Sequence, residues 1–344
     1  MNPIRPEYPL KKEIVAWDLQ SSLRLQVFLR TASDRMAKLA CTMCVLSIFL
    51  FFGGNSEQLI AQQNGHYLQG ITGLENGSTL PPGVYLSYLP YLNLVDSFKK
   101  SDGSTLLDLD LKVVAHNAVY QVTTKKRILG ATYGLSFIIP IVNIRLQADT
   151  FDKSVQNGGV SDLFLAPVVL GWTKAKAEYL LDYGVYIPAG SFDPNSPSNA
   201  GLGFWEHQIQ AGATYNIDKK KLWNASLLST WEINQSKSGE DLKPGPMANF
   251  EYSFGRRFFK YQMNAGIVGY AYQKLSPDSG SAVSPLTRGS HDRSFGAGPE
   301  LKYTDVKHRL AFDARYEPQF GVETKTSGSV VVISITYLNF FPPK

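Results

Sequence analysis

The sequence is poor in cysteine, histidine and charge, and each shortage removes a class of function. The 344 residues contain two cysteines, Cys41 and Cys44, both in the apolar run CTMCVLSIFLFF at 41–52. With no other cysteine, neither a four-thiolate zinc site nor a disulfide framework can be built, and the pair reads as two small apolar side chains. The five histidines, His66, His116, His207, His291 and His308, are scattered along the chain. No metal site and no cofactor is therefore expected. Charged residues make up only 18% and the formal charge of +5 is not gathered into blocks, so nucleic acid is not an expected partner. The run at 41–52 falls short of the roughly 20 residues that a membrane-spanning helix needs. The glycine-rich stretch GVYIPAGSFDPNSPSNAGLGFW at 184–205 precedes no helical pattern, which excludes a phosphate cradle at a helix N-terminus.

The twelve apolar residues have the length of a signal-peptide core, with Lys38 in front and GGNSEQLIA behind. Residues 36–61 are expected to be a signal peptide cleaved after Ala61. Met36 begins a complete leader of its own, MAKLACTMCVLSIFLFF, so residues 1–35 read as an upstream extension from a misassigned start. Residues 62–82 show no strand pattern and are expected to form either a periplasmic tail or a plug in the lumen.

What the chain does have is Tyr, Phe, Gly, Ser and Thr in patterns of period two. In WNASLLSTWEIN at 223–234, Trp223, Ala225, Leu227, Ser229, Trp231 and Ile233 share one face, and Asn224, Ser226, Leu228, Thr230, Glu232 and Asn234 the other. The same alternation recurs at 107–113, 178–187, 250–254 and 309–317. It predicts twelve strands, at about 84–94, 106–122, 130–148, 162–173, 177–190, 203–217, 221–234, 246–258, 260–274, 293–304, 308–319 and 327–341. Most reach the nine to eleven residues that a tilted membrane-spanning strand requires. Short connections such as 174–176, 218–220 and 305–307 alternate with long ones such as 191–202 and 275–292. An all-β chain sorted in this way is expected to be a transmembrane antiparallel β-barrel over 83–344, with short periplasmic turns and long extracellular loops, in the outer membrane of a Gram-negative bacterium. Its expected partners are outer-membrane lipid, the barrel-assembly machinery and a small solute.

Several segments, in order, carry a family resemblance: HYLQG at 66–70, LPPGVYLSYLPYLN at 80–93, DLFLAPVVLGW at 162–172, GVYIPAGSFDP with Asn199 and Trp205, and GAGPELKY at 296–303. Together they resemble the outer-membrane proteins of the meta-pathway of phenol degradation. The resemblance implies a barrel that passively admits aromatic or other hydrophobic small molecules. A general, weakly selective pore or structural barrel is the alternative, and an outer-membrane lipid hydrolase a further one. That hydrolase would need His207 and Ser229 close together on neighbouring strands. No catalytic residue is assigned. The expected lumen residues are Asp108, Asp110, Lys112 and His116, then Glu178, Asp182, Glu232, Glu251, Arg309, Asp313 and Arg315. Trp172, Trp205, Trp223 and Trp231 are expected in the aromatic girdles.

Overall fold

The computed structural model describes residues 65–148, 153–194, 199–284 and 287–341. The expected extension at 1–35, the leader at 36–61 and residues 62–64 lie outside the described residues. Thirteen strands follow in order: β1 (Gly83–Lys99), β2 (Thr105–Ile128), β3 (Ala131–Ala148), β4 (Lys153–Val160), β5 (Leu163–Thr173), β6 (Ala177–Ile187), β7 (Glu206–Asn216), β8 (Trp223–Asn234), β9 (Met247–Phe258), β10 (Met263–Lys274), β11 (Arg293–Asp305), β12 (Leu310–Glu323) and β13 (Thr326–Phe340). Each pairs antiparallel with its neighbours. β1 also pairs with β13, so the sheet closes on itself. Closure satisfies the backbone polar groups without water, the condition for strands to cross lipid.

The barrel has twelve staves. β4 pairs with the outer half of β3 (Ile141 with Val160, Ala148 with Lys153), and β5 with the inner half (Thr132 with Gly171, Ile138 with Phe164). The two strands lie end to end along one neighbour and count as one stave, interrupted at Ser161 and Asp162. β4 occupies residues expected to be loop. KSVQNGGV has two adjacent glycines and no sustained alternation, which hid it.

Gly83 and Phe340 pair at one rim, where the turns at 129–130, 174–176, 217–222, 259–262 and 306–309 also lie. The opposite rim carries the connections at 188–205, 235–246 and 275–292, as the sequence predicts, but among the described residues its other connections are short, five residues at 100–104 and two at 324–325. They are short because the strands run on. Eleven-residue strands such as β6 rise about 28 Å at a tilt of about 40°, enough for the apolar belt, whereas the 24 residues of β2 rise about 60 Å. The hairpins around β2 therefore stand well clear of the belt.

In β8 the outward positions are Trp223, Ala225, Leu227, Ser229, Trp231 and Ile233, and the inward ones are buried. Leu227, Ile233, Phe254, Ile267 and Ile333 are among the large side chains presented to the outside, each about half exposed. A water-soluble domain of this size rarely shows so continuous an apolar band. On a barrel it is the lipid-facing surface.

Candidate functional site

The lumen is crossed by residues 65–82, a strap that enters the barrel before β1 begins. Apart from turns of its own, such as Ile71 to Leu68 and Ser78 to Glu75, its backbone has no ladder to join, so many of its polar groups are met by side chains from the wall. Carboxylates supply the acceptors. Glu206 on β7 accepts the amide of His66 at 2.9 Å, and Glu232 on β8 that of Tyr67 at 2.8 Å. Glu251 on β9 accepts the amides of Gly70 and Thr72, both at 3.0 Å, together with the Tyr67 and Thr72 hydroxyls. Glu300 on β11 accepts the amide of Leu74 at 2.8 Å.

Cations meet the carbonyls. Arg315 donates to the carbonyls of Gly70 and Ile71, Lys302 to that of Leu74, and the Tyr91 hydroxyl to that of Gln69 at 2.7 Å. Arg315 is itself set among Glu300, Asp313 and Glu317. Each charge-assisted bond of this kind is worth about 1.5–3 kcal/mol. The strap is thus bound by an electrostatic ladder running around the inner wall.

Small residues let it fit. Gly70 has a φ of 75°, and a Cβ there would also meet the Glu317 carboxylate. A Cβ on Gly77 would come within 2.3 Å of the Ala213 backbone, which cannot yield. Leu68 and Ile71 pack on Tyr91, Val330 and Val332, while Leu74 is buried against Gly255 and Gly266.

At its first turn the strap is pinned by His66. The imidazole Nε2 lies 2.8 Å from Asp162, at the break between β4 and β5, and Nδ1 lies 3.0 Å from Glu206. Its ring stacks on Tyr186 at 4.6 Å. Asp162 also accepts the amides of Gly190 and Leu202, so one contact joins the strap, the interrupted stave and the loop at 188–205. Burial alone would lower the pKa of His66, but Glu206 and Asp162 outweigh it and raise it from 6.5 to about 9. The bound value lies above the free one, so this contact contributes fully below pH 6.5 and is lost as pH rises through 9. Ion conductance of the reconstituted protein is expected to rise between pH 7 and 10 in the wild type and to stay flat in His66→Gln. A flat wild-type profile would remove the pin.

Glu251→Ala leaves four strap donors without their acceptor. It is expected to loosen the strap by about 3–5 kcal/mol, read as lost hydrogen-exchange protection at Gly70 and Thr72. The melting temperature of the barrel should hardly change, because the staves close without the strap.

Between the strap and the walls of β1, β2 and β3 is a cavity of about 100 Å³. Leu68, Ile71, Val95, Leu111, Val113 and Ala115 make most of it apolar, and His66, Gln69, Asn93, Asn117, Asp162 and Lys325 are among its polar points.

Five expected lumen residues are corrected by this geometry. Asp108, Asp110 and Lys112 point outward and are exposed, with Asp110 and Lys112 paired at 3.2 Å, and His116 also faces outward, bonded to the Tyr88 hydroxyl at 2.6 Å. The lumen face of β2 is the apolar one, since it lines the cavity, and the outer face of 108–112 stands in water above the belt. Arg309 sits exposed in the turn before β12. Glu232, Glu251, Asp313 and Arg315 come together in the ladder, whereas Asp182 is buried on the lumen side of β6 away from it, and Glu178 is half-buried near the rim. Trp172, Trp205, Trp223 and Trp231 are all partly exposed on the outside.

His207 and Ser229 do not meet. His207 pairs with Ile233 and Ser229 with Ala211, so they are four residues apart along the strands, about 13 Å. Ser229 donates to the Ala211 carbonyl and His207 bonds the Tyr183 hydroxyl, which leaves the hydrolase alternative without its geometry.

Sequence reasoning did not single out His66, Asp162, Glu206, Glu300, Lys302 or Lys325. For Glu206 a signal existed: Glu206, Gln208, Gln210, Thr214 and Asn216 share the inward face of β7.

Closed staves, an outward apolar band and a polar, charge-laddered interior define a β-barrel of outer-membrane type. A family model described as "Putative MetA-pathway of phenol degradation" matches residues 95–335, and the chain belongs to that family. Among solved structures, the fold is similar to that of an outer membrane channel from Pseudomonas putida F1, with a TM-score of 0.66 at 12% identity over 78% of this chain and 99% of that one. A deletion mutant of the TodX monoaromatic hydrocarbon channel aligns with a TM-score of 0.42 at 9% identity, over 76% and 91% of the two chains. The β domain of the Bordetella autotransporter BrkA aligns at 0.44 and 7%, over 75% and 99%. Among curated proteins none matches the sequence.

Proposed function

We propose that the protein is a passive channel of the outer membrane that admits aromatic or other hydrophobic small molecules. One observation carries the reading: beside the strap the lumen wall of β1–β3 is mostly apolar, with Val95, Leu111, Val113, Ala115, Ile138 and Val142 lining a cavity. An aqueous pore has no use for a largely apolar recess of this kind, whereas a hydrophobic solute leaving water gains about 25 cal/mol for each Å² of apolar surface it buries there. The family description, which names phenol degradation, supports the same solute class. The strap divides the recess from the rest of the lumen and so limits leakage of ions.

Deleting the gene tests this. Growth on aromatic carbon sources at limiting concentration is expected to slow, with growth on sugars and organic acids unchanged. Equal slowing on all sources would favour a general pore, and no change on any would remove the transport reading.

A further inference from the structure

Charge is distributed unequally between the two rims. At the rim shared by Gly83 and Phe340, every turn or the strand end leading into it is basic: KKR at 125–127, KAK at 174–176, DKKK at 218–221, Arg256 with Lys260, and KHR at 307–309. Nearly all of these side chains are exposed. The acids beside them serve the turns themselves. Asp218 accepts the amides of Lys220 and Trp223, and Asp305 accepts the amide of His308 at 3.1 Å and lies 2.7 Å from its ring. The opposite rim mixes signs, as in KKSDG at 99–103, GEDLK at 239–243 and HDR at 291–293.

We propose that this basic rim binds the headgroups of anionic phospholipids in the periplasmic leaflet, holding a selected ring of lipid around the barrel. The proposal rests on the outer-membrane reading above. Three observations favour a lipid over an acidic protein. The cations recur at turns around the whole circumference, which suits an annulus of small ligands rather than one docked partner. They adjoin the lower edge of the apolar band, where headgroups lie. They are interleaved with outward aromatic rings of the kind found at membrane interfaces: the Arg256 guanidinium lies 5.3 Å from the Trp223 ring, and Trp172 donates to the carbonyl of Leu129 beside KKR. The turns are also tied together, because the Tyr261 hydroxyl donates to the Lys220 carbonyl at 2.8 Å. Lys260 is thereby kept next to the lysines of DKKK. Cations at a membrane surface attract anionic lipid in an additive, salt-screened way.

The test uses the full barrel in a Trp205→Phe, Trp231→Phe background, so that among the described residues only Trp172 and Trp223, both at the basic rim, report. It is reconstituted in phosphatidylcholine bilayers containing a chain-brominated lipid, either phosphatidylglycerol or phosphatidylcholine, and tryptophan quenching is measured. Brominated phosphatidylglycerol is expected to quench at least about twofold more strongly at low salt, with the preference collapsing at 1 M salt. The preference should also be lost when Lys125, Lys126, Lys219, Lys220 and Lys221 are changed to Gln. Equal quenching by both lipids in the unneutralised protein overturns the proposal but leaves the membrane reading intact. If polyglutamate then bound in a salt-dependent way, the rim would instead be a site for an acidic protein. No quenching by either lipid would overturn the proposal and the membrane reading together.

Discussion

Deleting residues 66–78 is expected to convert a nearly silent barrel into a conducting one. Single-channel conductance in a planar bilayer should rise by about an order of magnitude, since a twelve-stranded barrel freed of its contents encloses a lumen wider than side chains alone fill. The staves close through β1 and β13 without help from the strap, so assembly should survive. The carboxylates that now hold strap amides would be left facing water, and Glu206, Glu232, Glu251 and Glu300 would line the new passage. The open variant should therefore prefer cations. Conductance equal to that of the full chain would show that something other than the strap closes the lumen.

The second large effect concerns the recess. Ala115 is buried on the lumen face of β2 and lines the cavity, so Ala115→Trp places an indole in the recess and fills it. Uptake of an aromatic solute by cells is expected to fall about tenfold or more, with the barrel still assembled and its stability lowered by about 1–3 kcal/mol at most. The outward Tyr120→Trp on the same strand is the control, because it adds the same ring to the lipid side. Equal uptake by Ala115→Trp and the wild type would exclude the recess from the solute route.

Much of this was legible in the sequence, for a physical reason that also marks where legibility stopped. A stave with lipid on one side and a wet lumen on the other must alternate, and WNASLLSTWEIN does so throughout β8. β2 breaks the rule. Above the belt its outward residues are charged and its inward ones, Leu109, Leu111, Val113 and Ala115, apolar, so the parity that turns Glu232 inward turns Asp108, Asp110 and Lys112 the wrong way. The strap was opaque for another reason. It is held through its own amides and carbonyls, which every residue has, and apart from Tyr91 on β1 the side chains named above that recognise them stand on β7, β8, β9, β11 and β12, 100 or more residues away in sequence. His66 could be read as a lone histidine but not as the contact between Asp162 and Glu206, since only the closed barrel brings those two carboxylates to one ring.

The central claim is most directly tested by initial uptake of a radiolabelled monoaromatic compound at limiting concentration, measured in cells with and without the gene and compared with a sugar of similar mass. A selective hydrophobic channel predicts that loss of the gene slows aromatic uptake several-fold and leaves sugar uptake unchanged. Unchanged aromatic uptake, or an equal loss for both solutes, would contradict it.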